Sequence, residues 1–335
     1  MSSQRRRRLR RASASDEVGA LEMSLYGTRD ASANFQAEVK KVLISAGFII
    51  GKYNPSTYYH PARKLRTFLH GDDFVTSGER ESLAWLKIIL ESRFEISTTI
   101  IGDRDGEVKE ARVLNRTIRV NEEGWHYEAD QRHADLIIKA LNLEGAKGVK
   151  TPGEDEKAWK EQENAEALKG REATEFRATA ARANYLALDR ADIQYAVKEI
   201  CRGMANPTRG DLQKLKRLGR YLIEHPRSIT HYPFQGEQEE ISGFSDSDWA
   251  GCRRTAKSTS GGAVMRGMHC LKTWSSTQKN ITLSSGEAEL VAAVKMSCEV
   301  LGMIQLAKEW DVIMTGSIYV DSSAALGIVN RKGHG

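Results

Sequence analysis

From Ser32 to Gly47, apolar residues return at Ala33, Val39, Val42, Leu43 and Ala46, near one face of a 3.6-residue spiral. The pattern predicts a helix, with Gly47 placed to stop it. The chain then becomes rich in Tyr and Thr around Tyr53–Tyr59. Two β-prone runs, 65–69 and 74–77, flank His70-Gly71-Asp72-Asp73 and predict a hairpin with a tight Gly/Asp turn. Residues 80–93 predict a helix carrying Leu83, Leu86, Ile89 and Leu90 on one stripe. Residues 94–128 read as short strands and turns. Within them Asp103-Arg-Asp-Gly106 has glycine fourth, where a calcium loop needs it sixth, so an ordinary turn is expected. An amphipathic helix is expected over 129–143, and the Glu- and Lys-rich stretch 151–171 reads as a linker or an exposed helix. Residues 172–224 are helical in pattern, with a 3.6 period over 192–204, a break at Pro207 and a second helix from Arg209 to Ile223. After Phe234 the order changes. Strands are expected at 241–245, 261–265 and 271–275, a long helix at 287–310, a strand at 317–320 and a helix from Ser323 to Asn330.

A length of 335 residues allows one large domain or two to three ordinary ones. With 40% apolar and 28% charged residues, the chain can bury a sizeable core and is not wholly disordered. The net charge of +5 is unevenly spread. Six arginines, Arg5 to Arg8 with Arg10 and Arg11, lie in the first eleven residues without an acid, and the rest is close to neutral. Residues 1–20 therefore read as a basic leader. Arg10-Arg-Ala-Ser13 is either a kinase or nuclear-targeting site or part of a solvated tail. No run of eighteen apolar residues predicts a transmembrane helix, and no apolar segment follows the basic cluster as in a secretory signal. An intracellular protein, cytoplasmic or nuclear and without a membrane partner, is expected. Cys201, Cys252, Cys270 and Cys298 form no C-x-x-C pair, which suits a reduced compartment and excludes a zinc finger.

Three acids sit at telling positions. Asp246 follows the first of the late strands, Glu289 lies in the first turn of the long helix, and Asp321 ends the fourth strand. Strand ends and helix starts are where an α/β sheet gathers side chains into one site. Converging carboxylates repel and need a cation to stay ionised together. Their hard oxygens suit magnesium, and two such ions clamp both oxygens of an in-line phosphodiester displacement. Each acid also has a plainer reading. Asp321 can cap the following helix, Glu289 and Glu287 can favour a helix N-terminus, and Asp246 and Asp248 can be loop acids.

Five blocks occur here in order: Ser245-Asp-Ser-Asp-Trp-Ala-Gly251, Lys257-Ser-Thr-Ser-Gly-Gly262, Trp274-Ser-Ser-Thr-Gln-Lys279, Leu283-Ser-Ser-Gly-Glu-Ala-Glu-Leu290 and Tyr319-Val-Asp-Ser-Ser-Ala-Ala325. Together they strongly resemble the ribonuclease H domain of copia-type retrotransposon Pol polyproteins. The resemblance implies that Asp246, Glu289 and Asp321 are catalytic, metal-binding carboxylates for two Mg²⁺ ions, or Mn²⁺ in their place. It implies an antiparallel meander leading into the long helix and then a parallel strand. It also implies a fourth acid beyond Arg331-Lys-Gly-His334, so the domain is expected to be truncated.

The 65–78 hairpin resembles a reverse-transcriptase palm, which implies that Asp72 and Asp73 are catalytic metal ligands. Ser24-Leu-Tyr-Gly-Thr-Arg-Asp-Ala31, Arg190-Ala-Asp-Ile-Gln-Tyr-Ala-Val197 and Leu215-Lys-Arg-Leu-Gly-Arg-Tyr-Leu222 extend the resemblance over about 24–335. The family's first catalytic Asp has no equivalent in residues 1–20, so the polymerase part is expected to be incomplete and unable to polymerise DNA. The organisation expected is a leader (1–20), a partial palm (21–150), a linker with a helical thumb or connection region (151–235) and a ribonuclease H-like domain (236–335), α/β or α+β in class. Lys214, Lys216, Arg217 and Arg220, with Arg253 and Arg254 beside the acids, are candidate contacts to an RNA–DNA hybrid or RNA. A solvated helix face explains the first four equally well. The expectation is a hybrid-cleaving ribonuclease fragment of a polyprotein, the alternative a remnant that binds nucleic acid without cutting it.

Overall fold

The computed structural model describes residues 27–154, 166–252, 255–331 and 333, and the arginine-rich leader lies outside them. The fold is mixed α+β, and the chain divides into two compact units. One comprises residues up to Ile100 with Gln305–Ile313, the other Ile101–Ile304 with Met314–Gly335.

The first unit is an antiparallel meander with two helices. Helix α1 (Ala31–Ser45) precedes β1 (Ile49–Ile50), β2 (Thr57–His60), β3 (Leu65–His70) and β4 (Asp73–Ser77), which pair in that order, and α2 (Arg80–Arg93) follows. Its core joins Val39 and Leu43 of α1 to Leu65 and Leu69 of β3 and to Leu86 and Leu90 of α2. The β3–β4 turn is the tight one expected: His70 pairs with Asp73, and Gly71 takes a φ of +62°. A two-residue hairpin loop demands such a left-handed residue.

The second unit opens on β5 (Glu110–Val113), β6 (Arg116–Val120) and β7 (Gly124–Glu128). A helical layer follows: α3 (Arg132–Ala140), α4 (Gly170–Leu186), α5 (Gln194–Cys201) and α6 (Arg209–Glu224). Phe176, Ile137, Ile193, Leu215, Leu218 and Leu222 are fully buried at its centre. Thr208 and Asp211 start α6 with a reciprocal capping box. After α6 the chain returns as β8 (Ile229–Pro233), which pairs antiparallel with β7.

The last part of this unit is a four-stranded sheet of order β11-β10-β9-β12. Strands β9 (Glu240–Cys252), β10 (Lys257–Arg266) and β11 (His269–Thr277) form an antiparallel meander, and β12 (Thr315–Tyr319) runs parallel to β9. Helices α7 (Ser285–Glu309) and α8 (Ser323–Val329) flank β12 in the sequence. Strand β9 runs well past Ser245, where the apolar pattern ends. Asp246, Ser247 and Asp248 still pair with Gly261, Ser260 and Thr259 of β10, so backbone pairing carries the strand through polar residues.

Helix α7 lies very close to the sheet because glycines face it. A Cβ on Gly243 would come within 2.6 Å of Met296, and one on Gly262 within 2.4 Å of the same side chain. By length and composition alone α7 could cross a membrane, in contrast to the expectation from apolar runs. Here its Ala288, Ala292, Met296 and Val300 are buried.

Candidate metal centre

Strand β9 contributes Asp246, the second turn of α7 contributes Glu289, and the residue pair after β12 contributes Asp321. One carboxylate oxygen from each lies within 4.8 Å of the others. The parallel pairing of β12 with β9 produces this meeting, with Tyr319 opposite Phe244 two residues before each acid. Asp246 and Asp321 are exposed, while Glu289 is only 6% exposed.

The sequence offers two glutamates at the start of α7, and the structure gives them different work. Glu287 Oε2 accepts the Leu283 N–H at 2.7 Å, and the Glu287 N–H donates to Ser284 Oγ at 3.2 Å. These are bonds of a helix start. Glu289 instead turns to β9, where its Oε1 accepts the Ser247 hydroxyl at 2.7 Å and the Ser247 N–H at 3.0 Å. Its Oε2 is buried and has no hydrogen-bond partner among the described residues. Burial pushes the Glu289 carboxyl above its ordinary range, and the charges of Asp246 and Asp321 add to the rise against the two Ser247 bonds.

A buried polar layer holds these elements. Gln278, after β11, donates through Nε2 to Ala288 O and to Ser260 Oγ, both at 2.8 Å, which ties the residue before Glu289 to β10. Ser258 and Thr282 share a hydrogen bond of 3.0 Å, and the Trp249 indole N–H donates to Thr282 O. Trp249, Ser258, Ser260 and Gln278 fall within the sequence blocks named above, but no residue pattern announces these bonds. Trp274, beside it, packs under Lys295, whose ammonium lies 3.8 Å from the ring centroid.

The other candidate residues are not brought to this centre. Asp72 lies in the β3–β4 turn and Asp73 opens β4, both exposed. They line a cleft of about 460 Å³ with Phe35, Phe74, Leu86 and Phe94, and belong to no group of three metal-binding side chains among the described residues. On α6, Arg217 bonds Glu154 and, at 2.7 Å, Thr151 Oγ1, while Arg220 donates to Lys147 O at 2.8 Å. These two guanidiniums fasten the 147–154 segment to the helix. Lys216 is exposed and Lys214 half-buried on the same helix. Arg253 and Arg254 lie outside the described residues.

Fold and centre together define a class: an α+β chain with three carboxylates gathered on a mixed sheet beside a long helix. No protein-family model matches the chain. The Retrovirus-related Pol polyprotein from transposon RE1 of Arabidopsis thaliana is 29% identical over 92% of this chain and 20% of its own length. The corresponding polyprotein from transposon TNT 1-94 of Nicotiana tabacum is 25% identical, over 92% of the chain and 23% of its own length. An uncharacterized mitochondrial protein of Arabidopsis thaliana, AtMg00810, is 28% identical over 69% of this chain and 91% of its own length. Homologues of this chain are thus copia-type Pol polyproteins of transposons, and it spans about a fifth of the length of those polyproteins. Among solved structures, a foamy viral protease-reverse transcriptase in complex with dsDNA resembles it over 92% of this chain and 55% of its own, at 14% identity and a TM-score of 0.47.

Proposed function

We propose that the Asp246, Glu289 and Asp321 centre hydrolyses the RNA strand of RNA–DNA hybrids with two Mg²⁺ ions, Mn²⁺ serving in their place. The observation that carries the reading is the free, buried Oε2 of Glu289 in the midst of two further carboxylates. A carboxylate oxygen so placed is costly unless a cation meets it. Three hard oxygen donors and no sulfur or imidazole suit magnesium or manganese rather than zinc or copper.

Asp246 and Asp321, both exposed, form the side of the centre open to a substrate backbone, and Glu289 forms its buried wall. The bound ions would supply a nucleophile at neutral pH and charge stabilisation for the leaving oxygen. The chain's own contribution is to hold three negative charges in a fixed array, with the Glu289 end shielded from water. No side chain of the centre is a nucleophile in this reading. Asp72 and Asp73, the palm-like pair, belong to no group of three metal-binding side chains among the described residues, so the hydrolytic reading rests on the other three.

The test is cleavage of a labelled RNA–DNA hybrid in Mg²⁺ by the chain and by its Glu289→Gln variant. The variant should cut roughly 100-fold or more slowly, since it removes a charged ligand from a metal-dependent step. Equal rates for the two would sink the reading. Hybrid bound but left whole by the chain would instead favour a binding role.

A further inference from the structure

A neutral side chain, that of Ser247, reaches into the carboxylate centre. Successive residues of a strand point to opposite faces. Gly243 faces Met296 and Val300 of α7, so Ser245 and Ser247, two and four residues on, share the helix-facing side of β9. The Ser247 hydroxyl and N–H both donate to Glu289 Oε1, and the same N–H donates to Asp246 Oδ1 at 2.7 Å. Ser247 therefore bridges two of the three acids. Saturating Oε1 from one side leaves Oε2 as the oxygen without a partner.

We propose that Ser247 is a positioning residue. By gripping Oε1 it fixes the orientation of Glu289 and reserves Oε2 for a divalent cation shared with Asp246 and Asp321. The inference rests on the metal-centre reading above and adds the residue that sets its geometry. Ser245 is the internal comparison: it is just as small, it sits on the same face, and its hydroxyl is buried without a partner among the described residues. A need for a small side chain under α7 explains both serines. It does not explain why one hydroxyl grips a carboxylate through a second bond. Residues that orient a metal ligand typically change affinity 10–100-fold when removed.

The experiment is a calorimetric titration of the full chain with Mn²⁺, each variant first checked by its melting curve. Glu289→Gln should abolish binding. Ser247→Ala should weaken it roughly tenfold, Ser247→Thr should restore it, and Ser245→Ala should leave it at the wild-type value. Should Ser247→Ala fail to fold, the equal-volume pair Ser247→Thr and Ser247→Val makes the same comparison, with Thr binding and Val weakened. Wild-type affinity in the hydroxyl-free variants, or an equal loss in Ser245→Ala, overturns the positioning role while the metal centre stands. No Mn²⁺ binding by the wild-type chain overturns both.

Discussion

Glu287 and Glu289 are two residues apart, which on a helix places their side chains about 200° apart. That angle separates a helix-start acid from a member of the centre, although both lie in the same acidic block of the sequence. Among the described residues Glu287 bonds to Leu283 and Ser284 at the helix start. Glu287→Gln should therefore leave Mn²⁺ affinity and hybrid cleavage unchanged and lower stability by about 0.5 kcal/mol, which a denaturant titration would register. A loss of metal affinity as large as that of Glu289→Gln would show the two roles to be misassigned. The three clustered acids are legible in the sequence because each sits at the end of a periodic segment. Ser247 is not. Serines recur through 242–247, and sequence periodicity states which way a side chain points but not which hydroxyl finds an acceptor.

Among the elements, helices with a clear apolar stripe emerge near their expected bounds; α2 matches the predicted 80–93. Strand β8 has no signature in the sequence. It is five residues long, ends in Pro233, and pairs with a strand formed before the whole helical layer, so no local pattern announces it. Beside its backbone ladder with β7 lie ion pairs: Glu128 at the end of β7 receives both Arg227, just before β8, and Arg119 from β6. A similar device binds the turn before α5 to the end of α6. Arg190, 2% exposed, donates to both oxygens of Asp192 and to the carbonyls of His225 and Pro226, and the Tyr221 hydroxyl donates to Asp192. Burial raises the Asp192 carboxyl, but the Arg190 bond and charge, with Tyr221, outweigh it and hold it below its ordinary range. Its contribution to stability is thus present above about pH 4 and is lost as pH falls through its lowered folded value. Asp192→Asn should cost about 3 kcal/mol at pH 7, because it strands a buried guanidinium. The gap to wild type should narrow as denaturant titrations are taken down through pH 4. A gap independent of pH would refute the ionic account.

For the molecule as a whole, composition marks changes near residues 150 and 235, whereas contacts group the chain otherwise, with a break at Ile100. Composition follows the thread; a compact unit is drawn by what returns to what, as β8 returns to β7 and β12 to β9. All three carboxylates of the centre belong to one unit. A ligand that binds only the folded state raises its stability by about 2.7 kcal/mol at one hundred times its dissociation constant. Calorimetric melting with and without Mn²⁺ should therefore shift the transition that melts the carboxylate-bearing unit upward and leave in place any separate transition of the unit formed by 27–100 and 305–313. In Glu289→Gln neither should move. A shift confined to the meander would place the metal at Asp72 and Asp73 instead.

The bare glycines beneath α7 act as a gauge. Nothing but backbone separates Gly243 and Gly262 from the Met296 side chain, which lies about two turns along the helix from Glu289. The helix rests on the sheet at a height set by missing atoms, and the carboxylate near its beginning inherits that height. A single methyl added at Gly243 would act as a shim against Met296 and Val300, tilting the helix and spreading the three oxygens. The reach of the centre is in this sense specified by residues that contribute no chemistry to it.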